Sequence, residues 1–169
     1  KDKFRQPYIA RQVRVTVPVH LAALSWTTFQ LLEGKAPHHD GLFQNGVIDT
    51  PFVTLSIDDG LTLYDKTTNE AYEDFLRFED RGDIGNEYIY FQPKGTEPIY
   101  AELTAYEVLE NNARYAKILL KHDLTIPVSA DEQLDAEQRG IIEFMNRKAS
   151  RSEELTTIPL ETEMTIFVD

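Results

Sequence analysis

Residues 47–64 read VIDTPFVTLSIDDGLTLY, and this stretch decides the fold class. Two extended runs, 47–57 and 61–64, flank the tripeptide Asp58-Asp59-Gly60. An Asp-Gly pair between two β runs favours a hairpin, because Gly accepts a positive φ and Asp tolerates the turn. The stretch therefore predicts two antiparallel strands.

Short extended runs continue on both sides of this hairpin. The turn at 65–69 predicts a second hairpin, and the acidic segment 129–138 is predicted to be a loop, or a loop with one helical turn. Further strands are predicted at 13–19, 25–32, 71–78, 88–91, 99–109, 114–128, 140–146, 155–160 and 164–168. Many short strands separated by Asp, Asn and Gly turns are typical of an all-β, antiparallel sandwich with little helix.

The composition excludes several classes of function. The chain of 169 residues has 17 Lys and Arg against 29 Asp and Glu, which gives a net charge of −12. That charge repels phosphate backbones and anionic lipid, so we expect neither a nucleic-acid partner nor a membrane partner. Cysteine is absent, which removes disulfides and zinc sites built on Cys.

The absence of cysteine suits a cytoplasmic protein, which is the location we expect, although an exported protein can also be free of cysteine. The N-terminus has no apolar segment of the signal-peptide type. Lys1 is not a natural start, which predicts a fragment of a longer protein or a processed product. Residues 34–46 bury little and read as a connector. We place a domain boundary within this connector.

The segment Phe78 to Tyr90 is the best candidate for a functional loop. Two glycines permit a tight path, and acidic and amide side chains surround them. Asp, Asn and Tyr side chains at the rim of a sandwich can bind sugar hydroxyls as acceptors and donors. The alternative is a solvated turn held by its own Asx hydrogen bonds.

The spacing of possible ligands does not favour either of two candidate metal sites. Asp80, Asp83, Asn86 and Glu87 offer oxygen ligands, but they do not follow the alternate-position pattern of an EF-hand loop. The run His38-His39-Asp40 is better explained as the tip of a connector, because three adjacent residues rarely converge on one metal. We therefore predict no metal ligand in this chain.

Two motifs together resemble bacterial α-mannosidases of glycoside hydrolase family 38. They are LTLYDKTTN at 61–69 and FEDRGDIGNEY at 78–88, and the runs 15–18 and 26–29 are similar to strands of that family. The resemblance implies that residues 1–40 end a small preceding β domain. It also implies that 41–169 begin a large, galactose-mutarotase-like sandwich.

The resemblance implies a function that is divided between domains. In that family a separate α/β barrel carries an aspartate nucleophile and a zinc ion, and hydrolyses terminal α-mannosides with retention. This chain contains no catalytic residue of that kind, so we expect it to be inactive alone. Its implied partners are that barrel and a mannose-containing glycan or small mannoside, with a homo-oligomer also possible.

The residues that the resemblance assigns to the site are few. Tyr88 matches a tyrosine that reaches the sugar, Asp83 and Asn86 are implied substrate contacts, and Gly82 and Gly85 are implied to shape the loop. Asn86 stands where an aspartate is usual, which removes a charge. The alternative function is a stand-alone carbohydrate-binding or structural β-sandwich without catalysis.

Overall fold

A computed structural model describes residues 15, 17, 19–30, 32–35, 39–57 and 60–168. Backbone contacts divide the chain into two compact units, 1–37 and 38–169. The division into domains at 40 that we inferred from sequence stays a prediction.

The described residues of the first unit form no strand. The prediction of strands at 13–19 and 25–32 is therefore wrong for residues 15, 17, 19, 25–30 and 32. Their side chains are exposed, and Trp26 keeps 86% of its surface accessible. A strand needs a neighbouring strand to satisfy its backbone, and none of the described residues supplies one here. The remaining positions of the two ranges lie outside the described residues.

The second unit is built mainly from strands. Their bounds are Phe43–Gln44 (β1), Val47–Asp49 (β2), Val53–Ile57 (β3), Leu61–Asp65 (β4), Glu70–Tyr72 (β5), Glu79–Asp80 (β6), Ile99–Tyr100 (β7), Glu102–Asn111 (β8), Tyr115–Pro127 (β9) and Leu155–Phe167 (β10). An α-helix, α1, spans Glu132–Arg139, and a short 3-10 helix spans Phe144–Asn146.

All strand pairs are antiparallel. Strands β1 to β5 form one sheet in chain order, β10, β9 and β8 form a second, and β6 pairs with β7. The two hairpins predicted by the turn residues are confirmed, because Ile57 pairs with Leu61 and Asp65 pairs with Glu70. The strand predicted at 99–109 is found as β7 and β8, and the strand predicted at 114–128 is β9, which pairs with β8.

The core lies between the two larger sheets. Leu55 and Ile57 from the first sheet belong to the same buried cluster as Ile118 and Leu120 of β9 and Met164 of β10. Side chains alternate between the faces of a strand, so these residues form the inner faces of two packed sheets. The predicted all-β antiparallel sandwich is confirmed.

Five local predictions are wrong, and the first is the strand at 71–78, of which only residues 71 and 72 lie in a strand, β5. Residues 132–139 form a two-turn helix because Asp131 caps it, accepting a hydrogen bond from the backbone N–H of Gln133 at 3.1 Å. Residues 140–146 form a turn and the 3-10 helix, not a strand, and 88–91 are also not a strand. The two strands predicted at 155–160 and 164–168 are the single strand β10.

Candidate functional site

Tyr88 lies on a loop of the second unit, residues 81–92, which follows β6 and precedes β7 in the chain. These two strands close its base, because Glu79 pairs with Tyr100 and Asp80 pairs with Ile99. The side chain of Tyr88 is 87% exposed. A phenol presented in this way can donate and accept hydrogen bonds, and its ring can pack against an apolar face of a ligand.

Asp83 holds the two arms of the loop together. Its Oδ1 accepts hydrogen bonds from the backbone N–H groups of Gly85 at 2.7 Å and Phe91 at 3.0 Å. The N–H of Ile84 donates to the carbonyl oxygen of Phe91 at 2.9 Å, which closes the same link. This oxygen of Asp83 therefore serves the fold of the loop.

Asn86 organises the tip of the loop. Its Oδ1 accepts hydrogen bonds from the backbone N–H groups of Tyr88 and Ile89, both at 2.9 Å. The backbones of Asn86 and Ile89 also bind each other, with the N–H of Asn86 donating at 3.0 Å. An amide oxygen meets this need as well as a carboxylate would, so Asn at this position is compatible with the turn. These are the Asx hydrogen bonds of the alternative interpretation.

Glycine is required at position 85 for steric reasons. A Cβ built on Gly85 would lie 1.7 Å from the carbonyl oxygen of Ile89, which no side chain tolerates. Gly82 has a φ of +71°, and a Cβ there would approach the side chain of Arg151 to 3.2 Å. Both glycines allow the loop to pass close to its neighbours.

Arg147 binds the loop from a distant part of the chain, and the sequence analysis did not identify it. Its side chain donates hydrogen bonds to the carbonyl oxygens of Ile84 and, at 3.3 Å, of Gly85. Arg147 is only 7% exposed, and its guanidinium lies 4.3 Å from the ring centre of Phe144. The sequence offered no signal for this role beyond a single Arg in a polar segment.

A second arginine, Arg151, supports the base of the loop. It forms an ion pair with Asp80, and both side chains are largely buried, at 11% and 27% exposure. The backbone N–H of Gly82 donates a longer hydrogen bond to Asp80 at 3.4 Å. The start of the loop is therefore held by charge as well as by backbone pairing.

Helix α1 positions the segment that carries the two arginines. Glu137 accepts hydrogen bonds from the backbone N–H groups of Lys148 at 2.8 Å and Ala149 at 3.2 Å. Asp131 accepts one from the N–H of Ser150 at 2.9 Å. Burial alone raises the pKa of the Glu137 carboxyl, but the hydrogen bonds outweigh burial and hold the pKa below its ordinary value.

Some aromatic side chains of this region pack against other rings, and others are exposed. The ring of Phe91 stacks on that of Phe144, with ring centres 6.2 Å apart. Tyr88 and Tyr90, by contrast, are 87% and 59% exposed. One end of the loop is therefore held by ring packing, and its tip carries exposed aromatic side chains.

Within the described ranges, no group of three or more His, Asp and Glu side chains could hold a metal ion. The zinc that the resemblance implies is expected in a separate barrel, and it stays a prediction. The described part of the chain also contains no helix that is long and apolar enough to cross a membrane.

The sequence matches known proteins of one family. Residues 1–33 match the family model described as "Glycosyl hydrolases family 38 C-terminal domain 1". A curated relative from Halalkalibacterium halodurans, named "Putative mannosylglycerate hydrolase", is 31% identical over 180 residues. That match covers 98% of this chain and 20% of the relative, so the chain spans about a fifth of the relative's length.

Two solved structures from Enterococcus faecalis share the fold. One, an α-mannosidase from strain V583, is 34% identical, covers 79% of this chain and 16% of its own, and superposes with a TM-score of 0.70. The other, a protein in glycosyl hydrolase family 38, is also 34% identical, covers 80% and 17%, and has a TM-score of 0.71. The resemblance indicated by the two sequence motifs is confirmed.

Proposed function

We propose that this chain, which is related to the C-terminal β region of glycosyl hydrolase family 38, is an accessory β-sandwich of an exo-acting α-mannosidase. Two of the three relatives are named for mannoside hydrolysis, and all three are about five times as long as this chain, since the matches cover 16% to 20% of their lengths. In this proposal a separate catalytic barrel holds the zinc and hydrolyses the α-mannoside with retention of configuration. The zinc would supply electrostatic stabilisation there.

The exposure of Tyr88 is the observation that carries the proposal. A tyrosine that is 87% exposed at the tip of a loop can reach a surface outside its own unit. Its phenol would bind a hydroxyl of the terminal mannose, and its ring would pack beside the pyranose. Asp83 and Asn86 would contribute their remaining polar atoms to the sugar.

The loop would present Tyr88 in a fixed position. Arg147, Asp83 and Asn86 hold its backbone through the hydrogen bonds described above. A contact group that is already ordered loses less entropy when the substrate binds, so more of the contact energy stabilises the complex. Loop rigidity is therefore part of the proposed function.

The test compares the isolated chain with the intact enzyme that contains it. We expect the intact enzyme to hydrolyse 4-nitrophenyl α-D-mannopyranoside, and the 169-residue chain to release no nitrophenol above the uncatalysed rate. Hydrolysis by the isolated chain would contradict the claim that the catalytic groups lie in a separate domain. An intact enzyme that leaves α-mannosides untouched would contradict the assigned substrate.

A second candidate function is a stand-alone carbohydrate-binding module. The exposure of Trp26, at 86%, and of Tyr90, at 59%, favours it, because exposed aromatic rings can pack on sugar faces. This candidate predicts that Trp26→Ala weakens glycan binding by the isolated chain. The accessory role predicts no effect of that substitution on the intact enzyme's kcat/KM.

A further inference from the structure

A cavity lies apart from the Tyr88 loop, since none of the residues 81–92 lines it. Its volume is about 540 Å³, within the usual range of about 300–1,000 Å³ for small-molecule sites. The polar and aromatic side chains in its lining are Asp74, Phe75, Arg77, Tyr100, Glu102 and His122. They come from the turn after β5 and from β7, β8 and β9.

His122 is the unusual residue in this lining. It follows Ala116, Ile118 and Leu120 in the row of β9 residues that faces the core, where the pattern favours an apolar side chain. Only 4% of His122 is exposed, and its Nδ1 has no hydrogen-bond partner among the described residues. The imidazole packs edge-on against the ring of Phe78, with ring centres 5.3 Å apart, and a partner for Nδ1 would offset the cost of burying that atom.

The other groups supply both donors and acceptors. The guanidinium of Arg77 lies 3.6 Å from the ring centre of Tyr100 and pairs with the carboxylate of Asp74 at 2.5 Å. Glu102 adds a second carboxylate, so the fixed charges of the lining sum to −1. A lining of this charge disfavours an anion. It suits a neutral molecule that can donate to carboxylates and accept from a guanidinium.

The backbone beside the cavity is strained. Asp74 has a φ of +53° and Leu76 a φ of +59°, a region that side chains of this size rarely adopt. Such conformations cost free energy and persist where the surrounding structure fixes them. Here they place Asp74 and Arg77 at the same opening.

We propose that this cavity binds an uncharged polyhydroxy compound, namely a monosaccharide in the pyranose form, at a site separate from Tyr88. Hydroxyl groups both donate and accept, which matches the carboxylates of Asp74 and Glu102 and the guanidinium of Arg77 in the same lining. His122 lies at the inner wall as a neutral imidazole, since burial lowers its pKa. The choice of a sugar rests on the proposed function, because mannoside chemistry selects it among polyols.

The experiment is an NMR titration of the 169-residue chain with methyl α-D-mannopyranoside. We expect saturable shifts of the His122 imidazole and of Arg77, and about tenfold weaker binding for Arg77→Gln, the effect of one lost hydrogen bond to a charged donor. The matched control Arg139→Gln removes an arginine that is 81% exposed on α1 and should leave binding unchanged. Arg77 is 40% exposed, so its substitution leaves the core intact.

A second variant and a second ligand also test the proposal. His122→Phe keeps a planar ring, although a larger one, and removes the polar atoms, so it should also weaken binding, and Arg77→Gln carries the test if that variant does not fold. Glycerate, an anionic polyol, should bind more weakly than the neutral sugar. Shifts confined to Trp26 or Tyr90, tighter binding of glycerate, or no saturable shift would each overturn the proposal.

The experiments distinguish a lack of sugar binding in the cavity from a failure of the proposed function. Tyr88→Phe should leave binding in the cavity unchanged, because Tyr88 does not line it. If the chain binds no sugar while Tyr88→Phe still slows the intact enzyme, only the cavity proposal is refuted. If the chain binds sugar at His122 while Tyr88→Phe has no effect on the enzyme, only the role of Tyr88 is refuted.

Discussion

Arg147 donates a hydrogen bond to the carbonyl oxygen of Ile84, a residue 63 positions earlier in the chain. This contact joins the segment after α1 to the loop that carries Tyr88. The helix holds that segment through Glu137, so the order of the loop depends on a part of the chain that contains none of its residues.

Arg147→Gln should destabilise the second unit by about 1–3 kcal/mol. The shorter side chain cannot reach Ile84, and it leaves a buried carbonyl oxygen without its partner. Urea unfolding followed by fluorescence measures the change, and Arg139→Gln, on the exposed face of α1, should stay within about 0.5 kcal/mol of the wild type. Equal stability of the two variants would show that Arg147 does not hold the loop.

Gly85→Ala should cost about 1–3 kcal/mol, because the added methyl group overlaps the carbonyl oxygen of Ile89 and forces the loop open. Gly34→Ala is the control, since a Cβ at Gly34 meets no atom within 4 Å. Thermal unfolding and the backbone amide shifts of 83–91 provide the measurement. A Gly85→Ala chain with the amide shifts of the wild type would mean that the loop has another path.

Glu137→Gln should lower stability in a pH-dependent manner. The folded-state pKa of Glu137 lies below its ordinary value of 4.5, so its carboxylate contributes stability that is fully present above pH 4.5. This contribution is lost as the pH falls through the lowered folded pKa. The difference in Tm between wild type and variant should therefore be largest above pH 4.5 and shrink in more acidic solution.

The control for this pH profile is Glu132→Gln, which removes an exposed carboxylate from the first turn of the same helix. It should show no comparable loss above pH 4.5. A Glu137→Gln chain whose Tm difference stays constant from pH 7 to strongly acidic solution would exclude the carboxylate as the source.

Much of the sheet structure could be predicted because its signals are local. The Asp58-Asp59-Gly60 tripeptide and the 65–69 turn each join neighbouring strands, and the chemistry of the turn residues decides the pairing. The candidate loop was also visible, since its two glycines and its acidic and amide groups are close in sequence. Side-chain hydrogen bonds of Asp83 and Asn86 are local in the same way.

The parts that sequence reasoning missed depend on distant contacts. Helix α1 has no apolar stripe, and Glu137 is buried only because it binds the backbone at 148 and 149. The run Gly140-Ile141-Ile142 reads as a strand, yet Ile141 has a φ of +53° and is 89% exposed. Strands are predicted separately at 155–160 and 164–168, but β10 runs through both ranges, and as an edge strand it tolerates Pro159.

The most direct measurement is the kcat/KM of the intact enzyme for 4-nitrophenyl α-D-mannopyranoside after Tyr88→Phe. Removing only the hydroxyl should lower kcat/KM by about 1–2 kcal/mol, or about fivefold to thirtyfold, the scale of one hydrogen bond to the sugar. Tyr90→Phe, from the same loop, should leave it within about twofold. An unchanged kcat/KM for Tyr88→Phe would contradict the claim that this chain contributes a phenol to the sugar site.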